Sequence, residues 1–179
     1  MAKAQWTAPA DYRSRPVCVL GGGVLGRRIA ACFVAAGYHV RIRDPSAKSR
    51  GDAVDYIKDN LGAFLSLIDG KPTPGTYEGV EGFSDGVKDC WIVVEAIPEI
   101  LSMKESAFAD LETYAPSDCI LATNSSSYKS GELLSKVKSE TKARVLNIHY
   151  MMPPQVRLVN TNFKDSINSA SRRQTLWNS

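Results

Sequence analysis

Residues 17–44 read V-C-V-L-G-G-G-V-L-G-R-R-I-A-A-C-F-V-A-A-G-Y-H-V-R-I-R-D, and few folds accommodate that order. The apolar run 17–20 is long enough for a buried strand. Gly21, Gly23 and Gly26 follow at once with G-x-G-x-x-G spacing. Gly21 lets the chain turn sharply out of the strand. Gly23 leaves room for a pyrophosphate to approach the backbone, and Gly26 lets the next helix lie close to the sheet. That helix is predicted over 24–36, opened by Val24 and Leu25, with Ile29, Cys32, Phe33 and Ala36 as one apolar stripe. Gly37 is placed to stop it. A second strand is predicted over 38–42, with Asp44 at its end.

The acid gives the glycines their meaning. It falls close to the roughly 20-residue distance at which a carboxylate accepts from the adenosine ribose of a bound dinucleotide. The helix N-terminus offers free N–H groups and positive dipole to the pyrophosphate. Asp44 favours NAD over NADP, because it repels a 2′-phosphate. Arg41 and Arg43 flank it, and arginine can receive that phosphate instead.

The remaining chain alternates in the same way. A helix is predicted over 47–68, with Val54, Ile57, Leu61, Phe64, Leu65 and Ile68 at helical spacing. Residues 70–79 read as a turn-rich loop, 80–83 as a short strand, and 84–88 as a helical turn capped by Ser84. The apolar run 91–96, W-I-V-V-E-A, reads as a strand covered on both faces. Ser102 and Glu105 form a capping box before a helix whose buried stripe is Met103, Ala107, Phe108 and Leu111. A strand over 119–123, a loop over 124–127, a helix over 132–137 and a strand over 144–148 complete the order, and His149 comes next. Alternating strands and helices imply an α/β fold of Rossmann type, a doubly wound, mostly parallel sheet with helices on both faces. Ligands of such sheets bind beyond the carboxyl ends of the strands. That rule gathers the glycine loop, Asp44, residues 95–99, residues 124–127 and His149 at one edge.

The chain of 179 residues suits one domain with a full core. A net charge of +3 argues against nucleic acid as a partner, and no apolar run reaches membrane-spanning length. Cys18, Cys32, Cys90 and Cys119 lack metal-ligand spacing and read as reduced, buried thiols. The setting is intracellular, cytoplasmic by default, with mitochondria and peroxisomes left open. Residues 1–15 hold no hydrophobic run and read as a flexible leader rather than a signal peptide.

An alcohol oxidised by a nicotinamide needs a base for its proton, and His149 is suitably placed. From position alone it serves equally well as a base or as a polar cap on a strand end. His39 falls at the opposite edge and reads as a surface residue. Ser126 can donate to a substrate oxygen, but in a serine-rich loop it reads first as a turn former.

Four segments together resemble the NAD-binding domain of the L-3-hydroxyacyl-CoA dehydrogenase family: V-L-G-G-G-V-L-G-R-R-I-A, V-V-E-A-I-P-E-I-L-S-M-K, A-T-N-S-S-S-Y and N-I-H-Y-M-M-P-P-Q-V-R-L-V. The resemblance covers residues 17–159. It implies that His149 is the catalytic base, that Ser126 contacts the substrate oxygen, and that Asn124 lies beside nicotinamide and substrate. It places Ala96, Glu99 and Lys104 along the nicotinamide half of the cofactor. The implied reaction is reversible oxidation of a 3-hydroxyacyl-CoA to its 3-ketoacyl form with NAD, with hydroxy acids or sugar acids as alternative substrates. No metal is implied.

Two departures stand out. The family has a glutamate in an L-V-E sequence that pairs with the histidine; the matching residues here are Leu158, Val159 and Asn160. Asn160 can hydrogen-bond an imidazole but cannot neutralise an imidazolium. The family also has a helical domain that closes the cleft and makes its dimer, and the resemblance stops before it. Residues 161–179 are polar and without apolar periodicity, so they are expected to be a disordered tail following a domain over 16–160. The expectation is a truncated or alternatively spliced dehydrogenase of impaired turnover. The alternative is an NAD-binding module without turnover.

Overall fold

The computed structural model describes residues 9–70 and 73–150. Six parallel strands, β1 (Val17–Leu20), β2 (Val40–Arg43), β3 (Tyr77–Val80), β4 (Ile92–Glu95), β5 (Ile120–Thr123) and β6 (Val145–Asn147), form one sheet in the order β3-β2-β1-β4-β5-β6. The helices are α1 (Val24–Ala35), α2 (Ala47–Leu65), α3 (Phe83–Val87), α4 (Leu101–Tyr114) and α5 (Ser139–Lys142), with a 3₁₀ turn at Ser130–Leu134. The expected Rossmann-type fold is therefore present. The order reverses between β1 and β4, which opens a crevice where the chain leaves those two strands.

Side-chain alternation along β1 builds two cores. Val17 and Val19 face α1 and α2, where Ile29, Phe33, Val34, Ile57 and Phe64 are buried. Cys18 and Leu20 face the other way, toward Val87, Phe108, Leu111 and Leu133. Gly37 ends α1 with φ +91°, and Ser46 caps α2 by accepting from the Ser49 N–H at 3.2 Å.

Several local expectations are corrected. Ala36 is exposed; the buried face of α1 turns instead through Ala30, Val34 and Ala35. The strand predicted over 80–83 lies at Tyr77–Val80, sharing only Val80 with the prediction and otherwise within the stretch read as loop, because Val40 N–H and Asp44 N–H draw Thr76 and Val80 carbonyls into register with β2. Ser84 does not cap α3; Gly82 holds that position. Ser102 does not cap α4 either, since the helix starts two residues earlier, behind Ile100, and Glu105 accepts from the Ser135 hydroxyl. Met103 is exposed and Lys104 takes its place in the buried stripe with Ala107, Phe108 and Leu111. The helix expected over 132–137 is the 3₁₀ turn, although Leu133, Leu134 and Val137 do face inward.

Of the expected leader, residues 1–8 lie outside the described residues. Residues 9–15 are held against the domain. Tyr12 packs edge-on to Trp91, and the Arg15 guanidinium donates to both oxygens of Asp118 at 2.8 and 3.0 Å. Asn160 and the tail expected over 161–179 lie outside the described residues. Among the described residues, no helix is long and apolar enough to cross a membrane.

Candidate functional site

The crevice between β1 and β4 is a cleft of about 1070 Å³. Gly21, Gly23, Leu25, Asp44, Ala96, Glu99, Lys104, Asn124 and Ser126 all line it, so the sheet topology brings nearly all the expected site residues to one place. Val24 stands exposed at the start of α1, beside that wall.

The glycines are fixed by contact. Gly21 has φ +104°, and a Cβ there would lie 2.7 Å from the Ala96 carbonyl oxygen. A Cβ on Gly26 would lie 1.9 Å from the Gly21 oxygen, so α1 can begin this close to the sheet only without one. Gly23 differs: a Cβ there meets nothing within 4 Å. Its surroundings are open space on the cleft side, as a backbone that receives a ligand requires. Gly23 is also the N-cap of α1, with no side-chain hydrogen bond and no acid in the first turn. The opening N–H groups of a twelve-residue helix are thus left for an outside acceptor.

Asp44 sits across from that helix end. Its carboxylate accepts from the Gly22 N–H and the Ser46 N–H, both at 2.9 Å. These two bonds fix its orientation and leave acceptor capacity on each oxygen. Arg41 is turned away, paired with Asp89 and with Glu78. Arg43 lines the cleft.

The floor at the β4–β5 side is a buried ionic network. Lys104, 1% exposed, donates to Glu95 Oε1 at 2.6 Å and pairs with Glu99 Oε2 at 3.1 Å. Glu95 is fully buried and also accepts from the Thr123 hydroxyl at 2.6 Å and the Ile97 N–H at 2.9 Å. Glu99 accepts from the Ser125 hydroxyl and from the Ser127 N–H at 3.0 Å, gripping the neighbours of Ser126 on both sides. Partial burial opposes ionisation of Glu99, but those bonds and Lys104 outweigh it and lower its pKa.

His149 follows β6 and is half-buried; it does not line the cleft as Asn124 and Ser126 do. Its neighbours tie it to that side. The Tyr150 N–H donates to Asn124 Oδ1 at 2.6 Å, Asn147 donates to the Ser125 carbonyl at 3.2 Å, and Ile148 N–H to the Thr123 carbonyl at 2.9 Å. His39 is at the far edge, with Nδ1 2.6 Å from the Thr76 hydroxyl.

The family model for the 3-hydroxyacyl-CoA dehydrogenase NAD-binding domain matches residues 16–160. The chain belongs to this family. It is 30% identical over 148 residues to the glyoxysomal fatty acid beta-oxidation multifunctional protein MFP-a of Cucumis sativus, covering 79% of this chain and 20% of that protein. Escherichia coli 3-hydroxybutyryl-CoA dehydrogenase superposes with a TM-score of 0.69 at 28% identity, over 79% of this chain and 30% of that one. M. tuberculosis FadB2 gives 0.68 at 28%, over 79% and 50%. The chain thus spans about a fifth of the length of the curated relatives it matches. NAD is the cofactor of this domain family.

In this NAD-binding domain, the Glu95–Lys104 pair and the role of Ser125 are what sequence reading missed. A signal existed. Glu95 interrupts an apolar strand, and a buried charge needs a partner. Lys104 stands four residues before Phe108 and seven before Leu111, in phase with the helix's buried stripe. The four thiols are free: Cys18, Cys90 and Cys119 are buried and Cys32 is partly covered. Burial pushes the Cys32 thiol up to about 12 and raises Cys18 and Cys119 as well, so these three are not ready nucleophiles.

Proposed function

We propose that this chain holds NAD in the β1–β4 cleft and takes part in the reversible oxidation of a 3-hydroxyacyl-CoA to the 3-ketoacyl-CoA. The observation that carries the first half is the pairing of an uncapped α1 N-terminus with the oriented Asp44 carboxylate across one cleft. Bound NAD would supply the hydride acceptor. The α1 N–H groups at Val24, Leu25 and Gly26 would receive its pyrophosphate, and Asp44 the adenosine ribose hydroxyls. Ala96, Glu99 and Lys104 would wall the nicotinamide half.

The chemical half rests on His149 as the base that takes the hydroxyl proton, with Ser126 and Asn124 orienting the substrate oxygen. Glu99 supports this reading by bonding to both neighbours of Ser126, which fixes the serine at the cleft wall. Asn160 stands where the family has the glutamate that pairs with this histidine, and an amide cannot neutralise an imidazolium. General-base contributions are typically about 10²–10⁴-fold, and turnover is expected to be slow beside NAD binding. A hydroxy-acid or sugar-acid substrate is the second reading.

The test is titration with NADH followed by a steady-state assay with a short 3-ketoacyl-CoA and NADH, beside His149→Ala. Measurable NADH binding with slow turnover, lost in His149→Ala, is the expected result. Turnover unchanged in that variant would remove His149 from the chemistry.

A further inference from the structure

Three arginines surround the Asp44 end of the cleft, and they are not equivalent. Arg41 is paired with Asp89 and Glu78. Arg50 donates to the Asp44 and Pro45 carbonyls at 2.7 and 3.1 Å and pairs with Glu81. Arg43 lines the cleft and, among the described residues, makes no ion pair. Its guanidinium carbon stands 5.0 Å from the centroid of the Phe83 ring, which also lines the cleft. Its Nε donates to the Glu81 carbonyl at 3.3 Å.

The stem of Arg43 is positioned as well as its head. A Cβ added to Gly86 would lie 3.1 Å from both Cβ and Cγ of Arg43, so the stem lies tight across the backbone of α3. The stem contact, the carbonyl bond and the ring together hold a flat cation in one orientation. A guanidinium layered on an aromatic ring offers flat π surface to a second planar group. A phosphate, by contrast, is bound through the N–H edge; of the Arg43 donors, Nε is given to the Glu81 carbonyl.

We propose that Arg43, set against Phe83, is the base platform of this cleft: it stacks the adenine of the dinucleotide whose ribose Asp44 receives. The proposal rests on the NAD-binding reading and adds to it the residues that hold the base. Of the two arginines that flank Asp44 in the sequence, one is turned away and the other lies against the Phe83 ring.

Calorimetric titration of the whole chain with NADH, 5′-AMP, 2′,5′-ADP and reduced nicotinamide mononucleotide tests this, for wild type, Arg43→Ala, Arg43→Lys and Gly86→Ala. Loss of a stacking partner weakens base binding by about tenfold. Arg43→Ala and Arg43→Lys should each weaken NADH and 5′-AMP by about that factor and leave the mononucleotide unchanged. Lysine keeps the charge but not the plane. Gly86→Ala, outside the cleft wall, should weaken 5′-AMP in the same direction by displacing the Arg43 stem, and thermal melts confirm that each variant is folded. Full 5′-AMP affinity in Arg43→Lys would show that charge alone acts there and overturn the platform. So would a loss in Arg43→Ala confined to 2′,5′-ADP. Wild-type binding of NADH with no effect of Arg43→Ala would overturn the platform and leave the cofactor site standing; no wild-type NADH binding would overturn both.

Discussion

Replacing Lys104 by methionine tests whether the cleft floor is held by charge. The ammonium is 1% exposed and lies 2.6 Å from Glu95 Oε1, itself fully buried. Methionine fills most of the stem's volume but leaves Glu95 as a buried carboxylate with only the Thr123 hydroxyl and the Ile97 N–H to satisfy it. Breaking a buried pair by removing one partner costs about 3–5 kcal/mol, against a total stability of about 5–15 kcal/mol for a domain. Glu99, partly exposed, keeps Ser125, Ser127 and water, so its share of the loss is small. Adding Glu95→Gln removes the stranded charge, and the amide can still accept from Ile97 and bond Thr123. The double variant should therefore lie within about 2 kcal/mol of wild type, more stable than Lys104→Met alone. Urea unfolding followed by far-UV circular dichroism gives all three values. A single variant within about 1 kcal/mol of wild type, or a double variant less stable than the single, would refute the ionic account.

Asp44→Asn should weaken NADH by about tenfold and narrow the gap to NADPH, read from paired titrations; equal loss for both nucleotides would remove Asp44 from cofactor choice. Gly26→Ala drives a methyl to 1.9 Å from the Gly21 oxygen. It should cost about 1–3 kcal/mol in urea melts and abolish NADH binding, and a variant that binds normally would mean α1 can move off the sheet. Glu99 has a depressed pKa in the folded chain, so its stabilising effect is complete above the ordinary glutamate value of 4.5 and is lost as pH falls through the lower folded value. Glu99→Gln should therefore be less stable than wild type at neutral pH, with the difference shrinking on acidification below 4.5; a pH-independent difference in urea melts would contradict the linkage.

Much of the fold was legible because its signals are local. Gly21, Gly26 and Gly37 punctuate an apolar pattern, strand 17–20 is apolar throughout, and strand 120–123 is apolar up to Thr123. The sheet order then collected Asp44, Asn124 and Ser126 without any side-chain information. What stayed hidden depends on contacts distant in sequence. The edge strand β3 is half-exposed and includes Glu78 and Gly79, so its pairing with β2, rather than its own residues, makes it a strand. Capping pattern misled at Ser102 because S-x-x-E describes a local option, and Glu105 is engaged by Ser135 across the fold. Lys104 was passed over for Met103 because hydrophobicity ranks methionine as core, while the helical phase and Glu95 decide otherwise. The direction of Arg43 depends on Gly86 and Phe83, some 40 residues on.

The buried thiols make the domain its own reporter of opening. Cys18 lies in the central strand and Cys90 and Cys119 share its core, while Cys32 sits on the opposite side of the sheet. A reagent that modifies thiolates can reach the first three only when the layer formed by α3 and α4 lifts from the strands. Labelling kinetics at Cys18 would then time that event, while Cys32, partly covered, reacts without it and serves as the reference. A nucleotide that draws α1 and α4 toward a common ligand should slow the first clock against the second.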